Sequence, residues 1–438
     1  MSRLPTIDRR FGPNIAAELD IVTGTCQSGF NLHVSQQMPV LTVALLKREK
    51  LSMENVAAFV LPKRRSDLRA PLTLSASGCR NRQASLRDAL RRLGADAGLI
   101  VDPGHMSYFF GYHQRPIFPV AGIVLTNGPA VVCQAEILPA EATADETLTY
   151  RANILSTQED DLAARLAGLA IARLKGIERI ACDSAVGCGA LERPCIDLYP
   201  SILSMRRHKG ADEIALLVRA IEATEAGYAA IEARLEPGLT EIELFALFHQ
   251  AAVVSAGEAI GELGNNFRGG TSVGGSPRPV PLKAGDLIPL DAGVILRGYN
   301  ADLCRTYAVS GELSDAQRFA IDAVAGALVH AEGRIAPGVS CKDLFAEIHA
   351  ALDGQRGFKF HHHLGHGIGL APHEAPRLNP HWDDAFEIGD VFTLEPGLYG
   401  QELRAGVRIE HDYLVTDSGL VRLSNPWPAA RVDASVLP

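Results

Sequence analysis

Between residue 80 and about residue 204 the hydrophobic positions switch between two periods. RNRQASLRDALRRLGADAG (80–98) carries apolar residues at helical spacing and predicts a helix closed by Gly98. LIVDP (99–103) is a continuous apolar run and predicts a buried strand. SYFFGYHQ, FPVAGIVLTNG and AVVCQAEI follow as further strand text, with Asn127-Gly128 as a hairpin signal. LAARLAGLAIARLKG (162–176) returns to helical spacing, and RIACD (179–183) reads as a short strand. The alternation predicts an α/β domain over 76–205, whose expected work is to wall a cleft or hold a subunit contact.

The flanking text differs. Residues 1–75 mix basic stretches such as LPKRRSDLR with apolar ones such as PVLTVALL and hold no sustained period, so they predict an N-terminal extension without an assigned role. A second domain is expected over 206–438. It opens on a basic turn, Arg206 to Lys209, and a long amphipathic helix that Pro237 and Gly238 stop. Thr240 with Glu243, Ser314 with Gln317 and Ser340 with Asp343 each read as a capping box at the start of a later helix.

This second domain repeats itself. PGLTEIELFA (237–246) matches PGVSCKDLFA (337–346), AIEA (220–223) matches AIDA (320–323), and GDLIPLDAG (285–293) matches GDVFTLEPG (389–397). The matches run in the same order, so two long helices and a β-hairpin occur twice. That pattern predicts two α+β halves related by a pseudo-twofold axis.

Composition narrows the class. With 47% hydrophobic and 21% charged residues the chain reads as an ordinary globular protein, and 438 residues suit two domains. A net charge of −9 weighs against nucleic-acid or anionic-membrane partners. No apolar run approaches the roughly 18 residues of a membrane span, and the N-terminal text lacks a signal-like apolar core. The eight cysteines show no metal-knuckle spacing and read as idle thiols, which leads us to expect a cytoplasmic protein.

The candidate chemistry sits in the repeat. Asp291 and Glu395 occupy equivalent places at strand ends, and each begins a segment carrying another acid, Asp302 or Glu410. Between them lies HHHLGHGIGLAPHE (361–374), with five histidines, and His366 adds a nitrogen ligand on one side only. Any one of these acids alone could be a solvated strand-end residue. Four carboxylates converging on one axis carry a charge that a cleft cannot hold without cations. Four oxygen ligands and one imidazole suit Mn²⁺ or Co²⁺, with Zn²⁺ or Fe²⁺ possible.

From about Arg80 to the C-terminus the chain resembles the creatinase/prolidase/aminopeptidase P superfamily, the "pita-bread" metallopeptidases of family M24. The motifs that carry the resemblance are DAG with a following AD, HLGHGIGLAPHE, EPGLY and VRIEHDYLVT. The resemblance implies an α/β N-terminal domain and an α+β pseudo-twofold pita-bread catalytic domain binding two divalent metal ions. Asp291 would bind one metal, Asp302 and Glu410 would bridge both, and His366 and Glu395 would complete the other. Glu395 would also serve as general base. His373 would contact substrate and steady the tetrahedral intermediate, His362 would line the substrate pocket, and Tyr399 and Arg408 would support the site. A homodimer is expected.

One departure bears on the substrate. Family peptidases usually carry a further histidine before the first metal Asp, where this chain reads RGGTSVGGSPRP, and Gly274 stands near the expected place. The leading expectation is a dinuclear metallohydrolase cleaving Xaa-Pro bonds of short peptides. An alternative keeps the metals but acts on a small non-peptide molecule, as an ectoine hydrolase-like C–N hydrolase or a lyase. A third is an inactive binding module, which normally loses metal ligands that this chain retains.

Overall fold

Ser75, Asp102 and Ser184 each accept a hydrogen bond from the backbone N–H three residues on, and each opens a helix of the N-terminal layer. The computed structural model of the chain describes residues 72–113, 117–191, 193–261, 266–270, 274–309 and 313–426. The expected N-terminal extension therefore lies outside the described residues as far as residue 71.

In chain order the N-terminal layer runs α1 (Ala76–Leu93), β1 (Ala97–Ile100), α2 (Pro103–Phe110), β2 (Ala121–Leu125), β3 (Ala130–Ala135), β4 (Glu146–Tyr150), α3 (Leu162–Arg173), β5 (Ile180–Cys182), α4 (Ala185–Ala190), β6 (Ile196–Asp197) and α5 (Tyr199–Arg207). Its strands form one six-stranded sheet in the order β4-β3-β2-β1-β5-β6. β2 pairs antiparallel with β1 and with β3 across the Asn127-Gly128 turn, and β5 pairs parallel with β1. Two local expectations change. The first helix ends at Leu93, with Gly94 as its left-handed cap, and Gly98 lies inside β1. SYFF belongs to α2, where Pro103 stands at the first turn and Gly111 closes the end. His105 through Phe110 are all buried, so no apolar period marks this helix in the sequence.

The rest of the described chain holds α6 (Ala211–Glu232), α7 (Glu241–Ala256), β7 (Leu287–Ala292), β8 (Ile295–Leu296), β9 (Tyr299–Asn300), β10 (Leu303–Ala308), α8 (Asp315–Arg334), α9 (Cys341–Leu352), β11 (Gly365–Gly367), β12 (Glu374–Leu378), β13 (Val391–Leu394), β14 (Gly397–Gly400), β15 (Ala405–Arg408), β16 (His411–Thr416) and β17 (Gly419–Arg422). Two helices and an antiparallel strand pair occur twice, as the repeat predicts. α6 and α7 share a core with the β7–β10 pair, built on Tyr228, Phe248, Leu290 and Leu303. α8 and α9 share another with the β13–β16 pair, built on Leu328, Ile348, Phe392 and Tyr413. Capping boxes start α7 and α8, whereas α9 has only the forward half, from Ser340 to the Asp343 N–H.

Among the described residues the two halves meet at a backbone bridge, Cys304 to Glu410, with the Glu410 N–H donating to the Cys304 carbonyl at 3.1 Å. That bridge brings the acids of both halves to one place. No helix among the described residues is long and apolar enough to cross a membrane, and the cysteines among them are free.

Candidate metal centre

Asp291 is the penultimate residue of β7, opposite Cys304, and Asp302 directly precedes β10. Between these acids the chain folds back tightly. A Cβ on Gly293 would lie 1.6 Å from the Ala301 carbonyl oxygen, so the DAG…AD text is a backbone crossing that only glycine permits. In the second half His366 is the middle residue of β11, which runs between β12 and β13. Its flanking glycines serve the same purpose, because a Cβ at Gly365 or Gly367 would stand 2.0 Å from a carbonyl oxygen of the neighbouring segment. Glu395 directly follows β13, and Glu410 lies between β15 and β16.

These five residues converge. Asp291, Asp302 and Glu410 offer ligand atoms within 4.8 Å of one another, and so do His366, Glu395 and Glu410. Glu410 is common to both groups. Asp302 also approaches the second group, with its Oδ2 3.8 Å from His366 Nε2. Asp291 and Glu395, the equivalent residues of the repeat, both face the Arg408 guanidinium, at 2.7 and 3.2 Å.

The electrostatics of the cluster suit cations. His366 Nδ1 donates to the Gly367 carbonyl at 3.2 Å, which turns the Nε2 lone pair toward Glu395 Oε1 at 3.4 Å. Burial holds this imidazole down to about 4, outweighing the pull of Glu395, so it is neutral at pH 7. A lone pair facing a carboxylate oxygen is repulsive unless a cation stands between them. Glu410 Oε2 is buried without a hydrogen-bond partner, and Glu395 Oε1 has none of good geometry, although His363 Nδ1 stands 3.0 Å away. Burial, and then the neighbouring acids, push Asp302 and Glu410 well above the usual carboxylate range. Burial raises Glu395 too, but His363, His366 and Arg408 outweigh it and hold that acid low. The donor set, its orphaned Glu410 oxygen and the orientation of His366 therefore fit divalent metal ions.

Residues 215–417 match the family model Metallopeptidase family M24. This chain carries an M24 metallopeptidase domain. Over 356 residues it is 28% identical to the uncharacterized peptidase YqhT of Bacillus subtilis, spanning 76% of this chain and 95% of that protein. A 144-residue stretch is 36% identical to the Xaa-Pro dipeptidase of Pyrococcus furiosus, covering 33% of this chain and 41% of that one. The solved Xaa-Pro dipeptidase of Bacillus anthracis superposes with a TM-score of 0.68 at 22% identity, over 80% of this chain and 98% of that chain. The likeness in structure establishes the fold, an α/β N-terminal layer followed by the paired halves of a pita-bread domain.

Around the M24 cluster stand the other residues that the sequence singles out. His373 lies at the exposed end of its loop, with its ring centroid 4.0 Å from that of His366. Burial of the ring and the neighbouring His363 lower its pKa. His362 donates from Nδ1 to the His363 carbonyl at 2.7 Å and accepts at Nε2 from the Tyr399 hydroxyl at 2.9 Å. Burial brings it down to about 4, so it too is neutral at pH 7. Arg408, expected only as a supporting residue, spans both halves of the cluster.

Three residues escape the sequence reading. His363 Nδ1 stands 3.0 Å from Glu395 Oε1, yet in the sequence it is one of three successive histidines and carries no role of its own. Asn266 donates to Asp291 Oδ2 at 2.9 Å and exchanges backbone hydrogen bonds with Asp291. Asp412, fully buried, accepts the Asp302 N–H at 3.2 Å. The DY that follows the Glu410-His411 pair was the only textual sign of it. Gly274 is no simple vacancy for a histidine. Its φ is +79°, and an added Cβ would approach to 3.0 Å the Asn266 oxygen that accepts the Gly275 N–H.

Proposed function

We propose that this M24 domain is a dinuclear metal-dependent peptidase that cleaves Xaa-Pro bonds of short peptides. The observation that carries the reading is the pair of three-ligand groups sharing Glu410. One site would be held by Asp291, Asp302 and Glu410, the other by His366, Glu395 and Glu410, with Asp302 leaning toward both. The oxygen-rich ligand set favours Mn²⁺ or Co²⁺. When bound, such a pair supplies Lewis acidity that polarises a carbonyl and acidifies water.

The chain's own residues divide the remaining work. Glu395 accepts the proton of the attacking water and passes it to the leaving nitrogen. His373, on the open side of His366, donates a ring N–H to the developing oxyanion. Arg408 holds the Asp291 and Glu395 carboxylates in register. His362, fixed by Tyr399, walls the substrate pocket as a neutral imidazole. The relatives named Xaa-Pro dipeptidase support a short proline-containing substrate.

The Gly274 backbone favours a second reading, a small non-peptide substrate, because the side chain that family peptidases place there cannot be accommodated without disturbing Asn266. Metal analysis and turnover together decide. Purified protein should hold two divalent ions per chain and cleave Gly-Pro or a longer Xaa-Pro peptide with added Mn²⁺. His366→Ala should lose about one ion and at least ~100-fold in kcat. Full metal occupancy with no turnover on any Xaa-Pro peptide moves the assignment to the small-molecule substrate.

A further inference from the structure

Beside the candidate metal cluster lies a cavity of about 380 Å³, of whose lining the proposed reaction uses only His362. Its walls are rings. Phe345 and Phe360 stand 6.2 Å apart, and His349 packs against both, at 5.4 and 5.8 Å. Trp382 closes the outer side and is 47% exposed, unusual for so large an apolar side chain. Arg377 holds this indole in place, its guanidinium 5.3 Å from the ring and paired with Asp384 at 3.3 Å. The inner side is formed by His362 and His363, whose Nδ1 atoms reach Glu395 at 3.7 and 3.0 Å.

We propose that this ring-walled cavity is a specificity subsite that takes the aromatic side chain of a substrate residue flanking the bond to be cut. The inference rests on the peptidase reading and names a preference within it. Continuity decides the occupant, because the cavity shares His362 and His363 with the surroundings of Glu395. A side chain seated there would lie against the two histidines that face Glu395, next to a molecule bound at the cluster. The lining holds five imidazoles and no carboxylate, so a cationic side chain would be desolvated without an acid to pair with. Stacking rewards an aromatic ring instead. The volume is at the small end of the roughly 300 to 1,000 Å³ of ligand pockets and suits one side chain. His362 and His363 form a metal-capable group with Glu395, but none of these groups among the described residues draws on His349, His361 or His381, so the outer walls add no ligand to it.

The sequence has only two tryptophans, Trp382 and Trp427, so Trp427→Phe leaves Trp382 as the sole indole reporter. Titrating that full-length variant with L-phenylalanine amide should give a saturable change in Trp382 fluorescence, and L-lysine amide should give none. Turnover supplies the second readout. Wild type should prefer Phe-Pro over Gly-Pro, or Gly-Pro-Phe over Gly-Pro-Gly, in kcat/KM. Trp382→Ala and Phe345→Leu should each shrink that preference roughly five- to tenfold. No saturable fluorescence change, or the same change with both amides, overturns the subsite. An unaltered preference in Trp382→Ala does so as well. A protein that binds phenylalanine amide through Trp382 but cleaves no peptide keeps the subsite and refutes the peptidase reading.

Discussion

Glu374 shows how much one side chain can hold. Its carboxylate pairs with Arg206 and, at 3.2 Å, with Lys209, and it accepts the Ala371 N–H at 2.9 Å. All three charged groups are buried. Burial raises Glu374, but Lys209 and Arg206 outweigh it and hold the acid below its ordinary value. A depressed folded-state pKa contributes stability above the unfolded value of about 4.3, and that stability is lost as pH falls through the folded value. Glu374→Gln should cost roughly 3 to 5 kcal/mol at pH 7, because it leaves two buried cations without their acid. The variant should also show a flatter loss of stability below about pH 4.3 than wild type. Urea unfolding midpoints measured from pH 3 to pH 7 check both, and parallel curves for the two proteins would contradict the assignment. In the sequence Glu374 is merely the last letter of HHHLGHGIGLAPHE, and Arg206 to Lys209 only a basic turn. Their pairing spans 165 residues or more and leaves no local signal.

At the scale of elements, local chemistry spoke most clearly where side chains act on their own backbone. Thr240 and Ser314 announce α7 and α8 because a cap and its partner lie three residues apart in any fold. Removing either cap, by Thr240→Ala or Ser314→Ala, should cost ~1 kcal/mol in thermal or urea unfolding. The double variant should cost about the sum, since the caps serve helices in different cores. The ligand-bearing strand pairs were legible for another reason: the GD-x-x-x-L-[DE]-x-G text recurs, and recurrence survives even where periodicity fails. α2 was lost because a helix buried on every side has no polar face to give its period away. His363, Asn266 and Asp412 were lost because they act across the fold on acids distant in sequence.

The whole molecule places its metal cluster at the junction of two hydrophobic cores, each with its own pair of helices. On the proposed dinuclear reading, ions held from both sides would tie those halves together, so their removal should loosen the domain as well as silence it. With free metal at about 1,000 times its Kd the stabilisation amounts to ~4 kcal/mol. Calorimetry with and without chelator should show a lowered Tm that returns when Mn²⁺ is restored, whereas an unchanged Tm would mean that the ions do not bridge the halves. The stripped protein should nonetheless remain folded, for a reason already built into the chain. Arg408 reaches Asp291 and Glu395 together, one carboxylate from each half. A permanent cation of the chain's own thus stands at the seam, and the two halves keep one shared counter-charge that no chelator can remove.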